Sequence, residues 1–165
     1  MSSPPLPQPT DRLAALRAAA TQVAEHSLFA YAEACPATKA AGLVRARAAA
    51  ERWLAVAVPF TGPFEGSVRL SLPQTLATDL AAAFSGLSAQ SLDEAQIADF
   101  AGELANMMCG RWLTETHRAE RFALASPEVA ATTAGAVAAT DVSEADTIGL
   151  LVKDTPVLLA VVARP

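Results

Sequence analysis

Aromatic residues are scarce in this sequence: six Phe, two Trp and one Tyr make up 5% of its 165 residues. A core with so few large rings must be filled by Leu, Val and Ala, and thin side chains favour close packing of helices onto a sheet. Cysteine is scarcer still. Cys35 and Cys109 are the two thiols, too few for a disulfide framework in a chain without export features, and both are expected to be reduced and at least half-buried. Together with His26 and His117, which read as helix-surface residues, they show no ligand spacing, so no metal site of the chain's own is expected. No serine has a His–carboxylate context, and the glycines form no phosphate-cradling loop.

Positive charge is also in short supply, with 12 Lys and Arg against 17 Asp and Glu and a net charge of −5. No basic stripe stands out, so the electrostatic footprint of nucleic-acid binding is missing. The longest uninterrupted apolar run covers 157–163, well short of the ~20 residues a spanning helix needs, and no membrane partner is expected. The N-terminus, Met1-Ser-Ser-Pro-Pro-Leu-Pro-Gln-Pro9, lacks the basic start and apolar stretch of a secretory signal. Residues 1–10 read as a disordered Pro-rich tail, 11–165 as one domain, and the cytoplasm is the expected location.

What the sequence does have is hydrophobic material, 52% of the chain, in patterns that alternate between helical and strand periods. Asp11 reads as an N-cap, and Leu13, Leu16, Ala20 and Val23 recur at helical spacing, which predicts a helix over 11–34 stopped by Pro36. Residues 37–51 mix helix-favouring Ala and Arg with Gly42-Leu-Val and stay unassigned. In 52–60, Leu54, Val56 and Val58 alternate with Ala; after a Thr61-Gly-Pro turn, Val68, Leu70 and Leu72 alternate with Ser67, Arg69 and Ser71. That pattern predicts a hairpin with one covered face. Pro73 opens a short helix with a stripe of Leu76, Leu80, Ala83 and Phe84, and Gly86 stops it. Ser91-Leu-Asp-Glu94 reads as a capping box for a longer helix through Trp112 or beyond. Thr147–Val152 and 156–162, separated by Lys153-Asp154, read as a closing hairpin. These strands are apolar on both faces, so they are either central or covered by a second subunit. The order predicts an α+β fold: a largely antiparallel sheet with helices packed on one face, in two loosely repeated halves.

Wound at about 100° per residue, 93–112 gathers Ile97, Phe100, Ala101, Leu104, Met108 and Trp112 on one side, with Met107 at the edge. Asp99, Glu103, Asn106 and Gly110 lie on the other, and i,i+3 spacing sets the Glu103 carboxylate beside the Asn106 amide. A lone Glu-x-x-Asn on a helix is a common chance match, more often two ordinary solvated residues than a site. Arg111 points to a partner contact or a surface ion pair.

The company of this motif is more specific. Phe60-Thr-Gly62, Gly66-Ser-Val-Arg-Leu-Ser-Leu72, Phe84-Ser-Gly86, Glu103-Leu-Ala-Asn106-Met-Met-Cys-Gly110 and Ser126-Pro127, in that order and spacing, resemble the CheC/CheX/FliY chemotaxis phosphatases. With a single such helix, the resemblance is to the CheX branch. It implies a CheC/CheX-like fold and removal of the phosphoryl group from the aspartate of a response-regulator receiver domain (CheY-like). Glu103 and Asn106 would be the catalytic pair, and Asp99, Gly110 and Arg111 would be partner-binding. It implies no cofactor of the chain's own, Mg²⁺ being expected on the receiver, and a homodimer. Two other readings share the resemblance: a receiver-binding module weak in catalysis, and a structural subunit of a signalling assembly.

Overall fold

The computed structural model describes residues 8–140, 142–143 and 146–164. Of the tail expected over 1–10, residues 1–7 lie outside the described residues, while Pro9 and Thr10 belong to the first helix, α1 (Pro9–Gln22). Gln8 occupies the N-cap without a side-chain cap bond, and Asp11 falls in the first turn rather than at the cap. The helix loosens into a π-helical turn at Val23–Ser27, and Phe29 takes a left-handed φ of 52°. The predicted continuation to residue 34 therefore fails: Ala32–Cys35 is an edge strand, β1. The unassigned stretch forms α2 (Ala37–Arg45).

The two hairpins form as their periodicity requires. β2 (Arg52–Thr61) pairs antiparallel with β3 (Glu65–Pro73), placing Val58 opposite Val68 and Val56 opposite Leu70. β6 (Thr147–Val152) pairs with β7 (Thr155–Arg164) through Lys153 and Asp154, whose φ values of 49° and 63° supply the doubly left-handed turn that suits strand twist. Between the hairpins lie α3 (Gln74–Ser85), α4 (Glu94–Thr116), β4 (Ala123–Leu124), β5 (Glu128–Thr133) and α5 (Ala134–Ala139). Gly86 ends α3 with φ 72°, as expected of a C-terminal glycine. The buried side of α3 is Leu76, Ala77, Leu80 and Ala81; Ala83 and Phe84, placed in the stripe by sequence, are exposed.

Among the described residues the seven strands form one sheet, in the order β1-β6-β7-β3-β2, with β4 and β5 sharing the far side of β2. This order contains an internal symmetry. With the two-residue β4 set aside, the units α1-β1-α2-β2-β3 and α4-β5-α5-β6-β7 have the same element sequence, and exchanging them maps the order β1-β6-β7-β3-β2-β5 onto its own reverse. The central β3–β7 pair and the contacts of α1 with α4 and α2 with α5 obey the same exchange. The loosely repeated halves are thus a topological repeat.

The three long helices cover one face of the sheet, burying Leu16, Val56, Leu70, Phe100, Trp112 and Leu159 in the main core. α2 and α5, which the periodicity leaves unassigned, form a smaller core on the opposite face with Trp53 and Leu158. There α2 approaches the sheet closely because β6 carries Gly149, where a Cβ would come within 2.6 Å of Ala40 Cβ and 2.7 Å of Cys35 Sγ. β6 and β7 are interior strands, so their two-sided apolar character is satisfied within one chain and does not call for a second subunit. No helix among the described residues is long and apolar enough to cross a membrane.

Candidate functional site

α4 starts one box later than its sequence suggests. Ser91 closes a short 3₁₀ turn, its hydroxyl donating to Ser88 O at 2.8 Å, and Asp93 takes the extended conformation of an N-cap. The Gln96 N–H donates to Asp93 Oδ1 at 2.8 Å, and the Asp93 N–H donates to Gln96 Oε1 at 2.9 Å. The reciprocal box is therefore Asp93–Gln96. Glu94 is free of capping duty and pairs with Arg52 of β2 at 2.8 Å.

The inward side of α4 is as predicted. Ile97, Phe100, Ala101, Leu104, Met108 and Trp112 are buried, and Met107 is half-buried. Trp112 is fully enclosed, its ring edge-on to Phe60 at 5.8 Å. On the outward side, Asp99 and Glu103 are exposed, Asn106 and Gly110 are half-buried, and Arg111 is exposed. Among the described residues, neither Glu103 nor Asn106 has a hydrogen-bond or ion-pair partner. Arg111 does have one: its Nε lies 2.7 Å from Glu115 Oε1, one turn on. An exposed i,i+4 pair of this kind is worth only about 0.3–0.5 kcal/mol, so a competing carboxylate could open it.

The end of α4 corrects the reading of His117. It is the C-cap, its N–H donating to Leu113 O at 2.9 Å, and its ring packs against Phe64 and Phe122 with Nδ1 2.9 Å from Glu120 Oε2. His26, in the π-helical turn, is exposed as expected. Cys35 and Cys109 are both buried. Burial pushes the Cys109 thiol up to about 12 and raises Cys35 as well, so neither supplies a thiolate near neutral pH.

The segments that carry the resemblance converge on this helix. Phe60 stacks edge-on with Trp112 and Phe122. Gly62 lies so close to the 121–122 backbone and ring that a Cβ there would meet Phe122 Cδ1 at 2.6 Å. Pro127 packs on Gly102, a buried residue of α4 that the apolar stripe does not predict. Beyond Gly110 the helix borders a groove of about 320 Å³ lined by Leu113, Thr114, Arg121, Phe122 and Leu124.

A family model described as chemotaxis phosphatase CheX matches residues 54–149, more than half of the 165 residues. The chain belongs to the CheX family. The matched stretch includes β2 from Leu54 onward, β3 and all of α4, so the candidate site lies inside it. Solved structures extend the likeness to nearly the whole chain. One chain of the CheX-CheY-BeF3-Mg²⁺ complex from Borrelia burgdorferi is 15% identical with a TM-score of 0.65, covering 94% of this chain and 99% of its own. CheX from Vibrio vulnificus is 12% identical with a TM-score of 0.67, covering 94% and 98%. A CheC-like superfamily protein from Shewanella sp. PV-4 is 16% identical with a TM-score of 0.62, also covering 94% and 98%. At such identities the structural likeness is one of fold. No curated protein matches the sequence.

Proposed function

We propose that this protein hydrolyses the aspartyl phosphate of a CheY-like receiver domain, using Asn106 to orient the attacking water and Glu103 to hold the receiver. The observation that carries the reading is the pairing on α4: a carboxylate and a carboxamide one turn apart, reachable from outside and without partners among the described residues. Family membership supports the same chemistry.

An aspartyl phosphate is an acyl phosphate, and its leaving group is a carboxylate that needs no proton. The step forms a bond from water oxygen to phosphorus, breaks the bond from phosphorus to the aspartate oxygen, and passes the water proton to phosphate or solvent. The receiver supplies its own Mg²⁺ and lysine, which take up charge on the phosphoryl oxygens, so the phosphatase need only place the water in line. A carboxamide suits this because it donates and accepts hydrogen bonds without changing charge. Glu103, as an exposed carboxylate, is suited to pair with the receiver lysine, and Asp99, Gly110 and Arg111 border the same helix face.

The test is phosphate release from a receiver phosphorylated with a small-molecule donor in Mg²⁺. Acceleration that scales with added protein is expected, with Glu103→Ala weakening both rate and binding. Binding without acceleration would replace this reading by that of a receiver-binding module.

A further inference from the structure

Gly102 lies immediately before Glu103 and one turn before Asn106, buried on the side of α4 that meets the start of β5. A glycine inside a helix gives up stability relative to alanine, and this chain uses alanine at neighbouring helix positions such as Ala98, Ala101 and Ala105. The packing supplies a reason. A Cβ on Gly102 would stand 3.2 Å from Pro127 Cβ and 3.5 Å from both Pro127 Cγ and Val129 Cγ2. The proline is poorly placed to retreat. Before it, the Ala125 N–H donates to Pro59 O at 2.9 Å, and after it Glu128 pairs with Ala57 in the β2–β5 ladder. A side chain at 102 would therefore push the helix rather than the strand.

We infer that Gly102 and Pro127 form a seat that fixes the height and rotation of α4 over the sheet edge, and through it the place at which Asn106 holds water. The inference rests on the phosphatase reading for its catalytic meaning, but the seat itself is a geometric statement about this fold. Both are positioning residues; neither has to touch the receiver. Water placement is sensitive to shifts well below 1 Å, so a displacement of a few tenths of an ångström is expected to lower the rate by about tenfold.

The experiment compares wild type, Gly102→Ala, Pro127→Gly, the double variant and Asn106→Ala in two measurements. The first is the rate of receiver dephosphorylation as a function of phosphatase concentration. Gly102→Ala should lose about tenfold in the saturating rate while its half-saturating concentration changes by less than about twofold. The double variant, which removes the opposing Cβ and Cγ, should recover most of the loss. The second is the side-chain amide signal of Asn106 by NMR, which should move in Gly102→Ala and return toward wild type in the double variant. A wild-type rate for Gly102→Ala, or a double variant no better than the product of the singles, overturns the catalytic role of the seat. An unmoved Asn106 signal overturns the seat itself. If wild type fails to accelerate dephosphorylation, the phosphatase reading and the seat's catalytic role fail together, and the NMR arm still decides whether the seat exists.

Discussion

Helices α1 and α4 hold equivalent places in the two halves of the fold and pack against each other, yet they are finished differently. α1 starts without a side-chain cap, turns alanines such as Ala14 and Ala18 outward, and loosens into a π-helical turn. α4 is closed by a reciprocal capping box, runs for 23 residues, and turns Asp99, Glu103 and Asn106 outward. Their inward stripes do the same work: Leu13, Leu16, Ala20 and Val23 on one, Ile97, Leu104, Met108 and Trp112 on the other. The fold asks only for the inward stripe. The outward stripe is free to vary, and α4 presents Asp99, Glu103 and Asn106 there where α1 presents mainly alanine.

The sharpest way to break this comparison is to remove the polar group from each outward stripe. Asn106→Ala on α4 is expected to lower receiver dephosphorylation by about a hundredfold or more, whereas Thr21→Ala on α1 should leave the rate unchanged; equal losses would show that the two helices are not functionally distinct. The next contrast is between the two sides of α4. Trp112→Ala, emptying a fully buried site, should cost about 3–5 kcal/mol in urea denaturation, while Glu103→Ala should stay within about 0.5 kcal/mol of wild type.

A smaller effect separates the helix starts. Asp93→Ala removes the cap acceptor for the Gln96 N–H and should cost about 1 kcal/mol, whereas Gln8→Ala, at an N-cap with no side-chain bond, should cost nothing measurable. The smallest concerns the minor core, where Glu51 accepts hydrogen bonds from Arg47 and from the Trp53 indole. The Arg47 guanidinium holds the Glu51 carboxyl below its ordinary value of 4.5. A depressed carboxyl stabilises the fold fully above the unfolded-state value, and that contribution disappears as pH falls through the folded-state value. The stability difference between wild type and Glu51→Gln should therefore be under about 1 kcal/mol at pH 7 and shrink as the pH is lowered below the ordinary carboxyl value of 4.5. A difference that grows on acidification would reverse the assigned sign.

The parts of the fold that were legible are those with a strong period. Val68, Leu70 and Leu72 alternate cleanly and announce β3, and the Ile97-to-Trp112 stripe announces α4 and, by subtraction, the exposure of Glu103. The parts that were missed are made of small residues whose state is decided by neighbours. β1 reads Ala-Glu-Ala-Cys, a sequence that favours helix, and becomes a strand because β6 offers it an edge. β5 ends in Ala130-Ala-Thr-Thr133 and is held by pairing with β2. α2 was obscured by Gly42-Leu-Val, although Ala37, Ala40, Ala41 and Val44 share its buried side. The capping box falls two residues later than the Ser91–Glu94 pattern suggests, because the Ser91 hydroxyl donates to Ser88 O and Asp93 and Gln96 cap each other. At the site, the outward pair could be read from the helix period, but the contact of Gly102 with Pro127 could not, because it depends on where the pairing of β5 with β2 places the proline.

The most direct test is a single-turnover titration of wild type and Asn106→Ala against one phosphorylated CheY-like receiver, following phosphate loss and complex formation in the same samples. The prediction is that both proteins bind with similar half-saturation while only wild type speeds the loss of phosphate. An Asn106→Ala protein as fast as wild type would remove the water-placing amide from the mechanism and contradict the account.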